Sequence, residues 1–315
     1  MVSKFGIGLS ACLILMGCLL LTGCSKKEKR DLRVGVLYTP DSLPLWVAQD
    51  EGHFTAEGVS VELIPFQSVI ERDSAFLAGE VDGIAADLVG CSLMKARGTE
   101  LKILCLTVGE TRGVGRVAIL SSPNSGIHTA ADLKGVPIAM SLNSVVEFIA
   151  DELLRTEGLR DEEIAKVAVA KIPLRLTMLV EDQVAAAIMP DPFVAFAEKQ
   201  GARVVVDDTQ DNLGQAVLAF DDRAVAEKGE SLSRFFRGYR KACLAINESP
   251  EDYRQVVSKI TRTPDGVRGF DVVKYPIDKV PTPAHYARVH QWMERKGLLK
   301  EPVAYDALIC DEYVR

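Results

Sequence analysis

From Leu32 to about Asp221, short runs of Val, Ile and Leu alternate with polar turns and with stretches carrying apolar residues every three to four positions. This alternation narrows the fold more than any other feature of the chain. The runs predict strands at Arg33–Tyr38, Val59–Phe66, Gly83–Ala86, Leu101–Val108, Val114–Ser121, Val136–Ser141, Val167–Ile172, Val184–Ile188 and Val204–Val206. Runs this short and this apolar suit strands buried on both faces. The intervening stretches predict helices at Leu43–Glu51, Val69–Ala78, Leu88–Arg97, Val145–Glu157, Leu174–Glu181 and Phe193–Gln200. Strand–helix alternation of this kind means an α/β fold with a mainly parallel sheet. Beyond Asp221 the pattern turns helical: Asp222–Lys228, Leu232–Ile246, Pro250–Thr261 and Pro283–Lys296. Ala242, Leu244, Ala245 and Ile246 are expected on the apolar face of the longest of these helices, and 262–282 reads as a connecting loop.

The first residues follow another logic. Lys4 precedes an almost uncharged apolar stretch from Phe5 to Leu21, and Leu21-Thr22-Gly23-Cys24 leads into the polar run Ser25-Lys26-Lys27-Glu28-Lys29-Arg30-Asp31. A basic start, an apolar middle and small residues at the end make a secretory signal. The cysteine after the small residues resembles a bacterial lipobox, which implies a signal peptide over 1–23, cleavage before Cys24, lipidation of Cys24 and a polar linker over 24–31. The alternative is an uncleaved anchor, because the apolar run approaches the roughly 20 residues that span a bilayer. Either way the folded part is expected outside the cytoplasm, tethered to a membrane.

Removing residues 1–23 leaves 36 basic against 44 acidic residues, a net charge of −8. That balance, with no basic cluster interleaved with aromatics past residue 33, excludes a nucleic-acid partner. Cys91, Cys105, Cys243 and Cys310 are scattered without C-x-x-C spacing, so neither a zinc nor a redox site is expected. Cys91 and Cys105 read as small core residues. His53, His128, His285 and His290 are dispersed, and no His-Glu-x-x-His, Gly-x-Ser-x-Gly or phosphate-binding glycine loop is present. No cofactor and no metal are expected.

Ligands of open α/β sheets sit beyond the carboxyl ends of strands, which directs attention to the turns 39–44, 67–70, 87–90, 109–113, 141–145 and 189–193. Thr39-Pro40-Asp41-Ser42 forms one such turn, with Ser42 a cap for the following helix. Gln67-Ser68 forms another, and Asp87 ends a third strand. Ser141-Leu142-Asn143-Ser144 opens a helix with Glu147 three residues past Ser144. That is the spacing of a capping box, and also a place where free N–H groups and the helix dipole hold an anion or a carbonyl oxygen. Asp191, in Met189-Pro190-Asp191-Pro192-Phe193, is either a helix cap or a carboxylate facing a ligand amine, with Phe193 core or a stacking face. These turns contain acidic residues and, Arg112 apart, no arginine. That leans toward a small nitrogen-bearing molecule, pyrimidine-like for example, and away from a strong anion.

Several stretches together resemble one family. Pro44-Leu45-Trp46-Val47-Ala48-Gln49-Asp50-Glu51-Gly52-His53-Phe54 and Glu57-Gly58-Val59-Ser60-Val61-Glu62-Leu63 are similar to the opening of the solute-binding proteins of the nitrate/sulfonate/thiamine-precursor group. Leu77-Ala78-Gly79-Glu80-Val81-Asp82-Gly83, Ala131-Asp132-Leu133-Lys134-Gly135-Val136-Pro137-Ile138-Ala139, and the tail from Trp292 to Leu299 and on to Tyr305-Asp306 follow in the family's order. Where the family often has Ser-Gly after the second strand, Val69 here replaces the glycine.

The resemblance implies a two-lobed, periplasmic-binding-protein-like (type II) fold with the ligand in the cleft. Lobe 1 would be 32–109 plus 216–315 and lobe 2 110–215, with crossovers near Thr107–Thr111 and Asn212–Val217. It also implies a monomeric receptor that delivers a small molecule to the permease and ATPase of an ABC importer. Two other readings stay open. One is a sensor lipoprotein. The other is an enzyme of the same fold, of the pyrimidine-synthase or chorismate-dehydratase type, although the cysteine-rich motif of the pyrimidine synthases is absent.

Overall fold

The structure, a computed structural model, describes residues 31–109, 116–211, 213–263 and 269–314. The signal, Cys24 and its linker up to Arg30, together with Thr111, Arg112 and Asn212 of the crossovers, lie outside the described residues.

The chain opens with β1 (Leu32–Leu37), α1 (Leu43–Asp50), α2 (His53–Ala56), β2 (Val61–Phe66), α3 (Val69–Leu77), β3 (Gly83–Asp87), α4 (Leu88–Ala96) and β4 (Leu101–Val108). It continues through β5 (Val117–Ser121), β6 (Ile138–Met140), α5 (Val145–Thr156), β7 (Lys166–Ala168), α6 (Ile172–Val180), β8 (Ala186–Pro190), α7 (Phe193–Lys199) and β9 (Arg203–Asp207). It closes with β10 (Ala216–Asp221), α8 (Asp222–Glu227), α9 (Gly229–Glu248), α10 (Arg254–Thr261), α11 (Pro283–Arg295) and α12 (Tyr305–Leu308).

Two five-stranded sheets result, in the orders β2-β1-β3-β10-β4 and β7-β6-β8-β5-β9. Each anchors one lobe of a periplasmic-binding-protein-like fold. The sheets are mixed, which corrects the expectation of mainly parallel pairing. β1 pairs in parallel with β2 and β3, and β6 with β7 and β8. β10 runs antiparallel to β3 and β4, and β5 antiparallel to β8 and β9. The reason is topological: β5 and β10 each enter from the other lobe instead of through a helical crossover within their own. Pro65 is tolerated in β2 because that strand lies at the sheet edge, where a missing N–H costs no ladder bond. Gly83 of β3 sits opposite Phe220 of β10, whose ring occupies the space a Cβ would take.

The expected long helix forms as α9, but its apolar face differs from the one anticipated. Leu232, Phe235, Phe236, Tyr239, Ala242, Cys243 and Ile246 are buried, whereas Leu244 is 49% exposed. Pro250–Tyr253 forms a separate 3-10 turn ahead of α10. The stretch 269–282 has no helix or strand, yet it packs Phe270, Val272, Val273 and Tyr275 into the first lobe's core.

A second core runs through both lobes. It joins α4 and α11 on the first-lobe side to α5 on the second, with Phe148 of α5 meeting Trp292 of α11 edge-on at 5.6 Å. Cys91, Cys105 and Cys243 are buried free thiols, and Cys310 is half-buried. Among the described residues no helix is long and apolar enough to cross a membrane.

Candidate functional site

A cavity of about 600 Å³ lies between the lobes. The first lobe lines it from the turns after β1, β2 and β3, the second from the turns after β6, β7 and β8. Thr39, Asp41, Gln67, Ser68, Asp87, Ser141, Ser144, Asp191 and Phe193 all stand along its wall. Ser42 and Asn143 are not among the lining residues. Ser42 is fully buried, and its hydroxyl donates to the carbonyls of Thr39 (2.8 Å) and Leu37 (3.1 Å), holding the turn after β1. Its side chain does not cap α1. Asn143 takes a positive φ of 52° and donates its N–H to Glu147 at 2.6 Å.

Local bonding explains how the turns hold their shape. Ser68 caps α3 by accepting from the N–H of Glu71 at 3.3 Å, while Glu71 accepts from the N–H of Gln67 at 3.0 Å. Asp87 caps α4, accepting from the N–H of Gly90 at 2.8 Å. The capping box expected at α5 does not form. Ser144 turns its hydroxyl to the carbonyl of Ser141 at 2.6 Å, and Glu147 reaches back one residue further, to Asn143. The N–H groups of the first turn of α5 therefore have no side-chain cap at the cavity wall. Asp191 accepts from the N–H of Ala195 at 3.1 Å and pairs with Arg116 at 3.0 Å.

The carboxylates feel their burial. Loss of hydration raises Asp87 to about 6, against the offsetting charge of Arg72 and the bond from Gly90. Asp208, which accepts from the N–H of Val117 at 2.8 Å, is likewise pushed up to about 6 by burial. Desolvation also raises Asp41, partly offset by its hydrogen bond with Thr39 and by the charge of Arg72. Asp191 is raised by burial in spite of Arg116.

Four arginines line the cavity that the turns alone did not reveal: Arg72, Arg116, Arg175 and Arg262. The apparent shortage of arginine is thereby corrected, because the guanidinium groups come from two helices, the residue after α10 and the approach to β5. Arg72, buried in α3, spends its donors on Asp73 (2.7 and 2.9 Å) and the carbonyl of Ala85 (2.7 Å). Arg262 stacks over Tyr38 with its guanidinium carbon 3.9 Å from the ring centroid. Arg175 is 1% exposed and pairs with no carboxylate among the described residues. Its Nη1 donates to the carbonyl of Val169 at 3.1 Å and to Ser141 Oγ at 3.4 Å, and its Nε has no acceptor. Burial alone pulls it down to about 10.

A sequence signal for Arg175 existed. Ile172, Leu176 and Leu179 mark the inward face of α6, and Arg175 falls on that face, where only apolar residues were expected. Gln215 was also missed: its Nε2 donates to the carbonyl of Gly109 at 3.2 Å at the crossover, and its Oε1 is buried beside the cavity without a donor.

The histidines stand apart from most of this chemistry. His290 stacks on Tyr286 at 3.9 Å, meets Ser92 Oγ at 3.1 Å and is driven down to about 4 by burial. His285 contacts Gln215 at 2.6 Å. No cluster of three His, Cys, Asp or Glu residues able to hold a metal occurs among the described residues.

The fold has many solved counterparts. The alkanesulfonate-binding protein SsuA from Xanthomonas axonopodis pv. citri, bound to MOPS, superposes with a TM-score of 0.73 at 18% identity, covering 89% of this chain and 97% of its own. The periplasmic nitrate-binding protein NrtA from Synechocystis PCC 6803 matches with a TM-score of 0.71 at 14% identity, over 90% and 86%. The ligand-binding component of an ABC-type import system from Staphylococcus aureus, with zinc bound, matches with a TM-score of 0.71 at 16% identity, over 90% and 97%. No curated protein matches in sequence. The family model described as NMT1/THI5 like matches residues 39–253, more than half of the chain, and the protein therefore belongs to the NMT1/THI5-like family.

Proposed function

We propose that this protein is an extracytoplasmic solute receptor, held at a membrane through a lipid on Cys24, that delivers a small nitrogen-bearing organic molecule to the permease and ATPase of an ABC importer. The observation that carries the reading is the cavity between two lobes, walled by polar side chains from both. A site divided in this way couples occupancy to closure, because a solute touching both walls favours the state in which they approach. The lobes are taken as 32–109 plus 216–315 and as 110–215, moving as a monomer about the crossovers. Family membership and the fold of the three solved proteins support the same reading. Asp41, half-buried, and Asp87, buried, stand on the first-lobe wall and suit an amine or a ring N–H, since a carboxylate accepts such donors through strong charge-assisted bonds.

The test is native mass spectrometry of the full-length protein released from membranes in mild detergent. A small molecule should travel with the protein, and Asp87→Ala should lose it. A spectrum that stays empty, followed by no thermal stabilisation by amines, pyrimidines, sulfonates or nitrate, would remove the transport reading in favour of sensing or catalysis.

A further inference from the structure

We infer that the cleft is built for a dipolar solute, whose anionic group meets Arg175 on the second lobe while its cationic nitrogen faces Asp87 and Asp41 on the first. The inference deepens the solute-receptor reading and rests on it. Its starting point is a charge without a counter-charge. Arg175 is almost completely buried, has five N–H donors, and makes contact only with a backbone carbonyl and a serine hydroxyl, leaving Nε without an acceptor. A guanidinium that served only to hold the turn before α6 through Val169 would be a costly choice, because a neutral amide could make the same bond without burying charge. Arg175 lines the cavity, so an anion arriving there supplies what the fold omits.

The surroundings agree on the sign. Ser141 lies against the guanidinium, and the first turn of α5, a twelve-residue helix whose Ser144 does not cap it, opens at the same wall. Uncapped N–H groups and the positive end of the helix dipole favour negative charge there.

The first-lobe wall has the opposite balance. Asp41 and Asp87 are both in the cavity, and Arg72 on the same wall already gives two N–H bonds to one oxygen of Asp73 and another to the carbonyl of Ala85. On the second lobe Arg116 is likewise occupied, by Asp191 and Glu198. Two further charges line the cavity, Arg262 of the first lobe, stacked over Tyr38 and bonded to its hydroxyl, and Asp208 of the second, which holds the N–H of Val117. Among the described residues no guanidinium bonds Asp41 or Asp87 on the first lobe, and no carboxylate bonds Arg175 on the second. Val69, Val145, Ile149, Ile172, Phe193 and Phe196 supply apolar wall around these polar groups, which suits a short aliphatic or aromatic body joining the two charges.

The experiment measures binding to the full-length protein in detergent by titration calorimetry and thermal shift, using two matched probe sets. One set is 6-aminohexanoate, hexylamine and hexanoate. The other is 4-(aminomethyl)benzoate, 4-methylbenzylamine and 4-methylbenzoate. The molecule that travels with the protein is weighed alongside them. The dipolar member of at least one set should bind tenfold or more tightly than its singly charged partners, and the travelling molecule should carry both an acidic and a basic group.

Arg175→Met should erase the advantage given by the carboxylate while leaving amine binding in place, and should hold or raise the melting temperature of the empty protein. Arg175→Lys, which keeps the charge and loses the fork, should recover part of that advantage and serves if the methionine variant fails to fold. Asp87→Asn should erase the advantage given by the amine.

Equal binding of amine and amino acid, a carboxylate advantage that survives Arg175→Met, or a travelling molecule without an acidic group would each overturn the inference and leave the receptor reading standing. Absence of any binding and of any travelling molecule would bring down the receptor reading itself, and this inference with it.

Discussion

Trp292 of α11 donates its indole N–H to Asp151 of α5 at 2.9 Å, and through that bond the end of the first lobe grips the second. Lys296 of the first lobe reaches Glu147 at 3.0 Å, and Lys166 holds Glu147 and Asp151 at 2.8 and 2.5 Å. Two neighbouring residues of α5 divide the work: Ile149 lines the cavity, while Phe148 packs on Trp292. The same helix is therefore cleft wall and interlobe joint.

Trp292→Ala should lower the unfolding free energy by about 3–5 kcal/mol, the usual cost of deleting a fully buried aromatic ring. Urea denaturation followed by circular dichroism measures it. A loss under about 1 kcal/mol would show that the lobes do not depend on this joint.

Stability should fall as pH rises through the range of about 4 to 6, as far as Asp87 and Asp208 govern it. Both carboxyls titrate near 6 in the fold, above the ordinary value of 3.8, so the folded chain holds more protons than the unfolded chain in that window. Their destabilisation is absent below the unfolded value and complete above the folded one. Each group contributes on the order of 1–3 kcal/mol. Asp87→Asn keeps an oxygen for the N–H of Gly90 and should flatten the slope. Melting curves from pH 4 to 7.5 that are equally steep in both proteins would contradict the assignment to Asp87.

Gly109 sits at the crossover with φ of +105°, and a Cβ there would overlap the carbonyl oxygen of Gly214 on the returning segment ahead of β10. Gly109→Ala should cost at least about 2 kcal/mol, combining backbone strain with a clash that only main-chain movement relieves. Equilibrium denaturation reads the change. A wild-type midpoint would mean that the two crossing segments part easily.

Lys171 and Glu71 face each other across the cleft at 3.7 Å, with side chains 56% and 44% exposed. Lys171→Ala should change stability by less than about 1 kcal/mol, as exposed pairs do. A larger loss, insensitive to added salt, would show that the contact is more than a surface ion pair.

Most of the strand–helix order was legible, because Val/Ile/Leu runs and helical periodicity report burial directly. β10 was not: Ala216–Asp221 is as apolar as its neighbours, but it lies at the expected crossover and has no partner nearby in sequence. Parallel and antiparallel pairing leave no local trace, so the mixed sheets emerged only with the topology. Leu244 reads as buried because apolar residues cluster around it in sequence, whereas the turn of α9 carries it to solvent.

At the cavity, the turns after strands were found from their position in the α/β pattern. Arg72 and Arg175 escaped because each lies within a helix, where a charged residue is ordinarily read as solvated. The open end of α5 was legible only as an ambiguity. Ser144 and Glu147 have the spacing of a capping box, and no rule of spacing tells which carbonyl a serine hydroxyl will choose.

β10 lies between β3 and β4 in its sheet, yet it follows β4 by more than a hundred residues. Until Ala216–Asp221 has been made, β3 keeps one edge unpaired and β4 has no ladder partner among the described strands, and Ile103 of β4 still awaits its bridge to Ile309 near the end of the chain. Open edges of this kind invite pairing with other chains. Contacts spanning such distances also close slowly. The first lobe to begin is thus the last to be finished, and a growing chain can complete the second lobe's sheet before the first has the strand that joins β3 to β4.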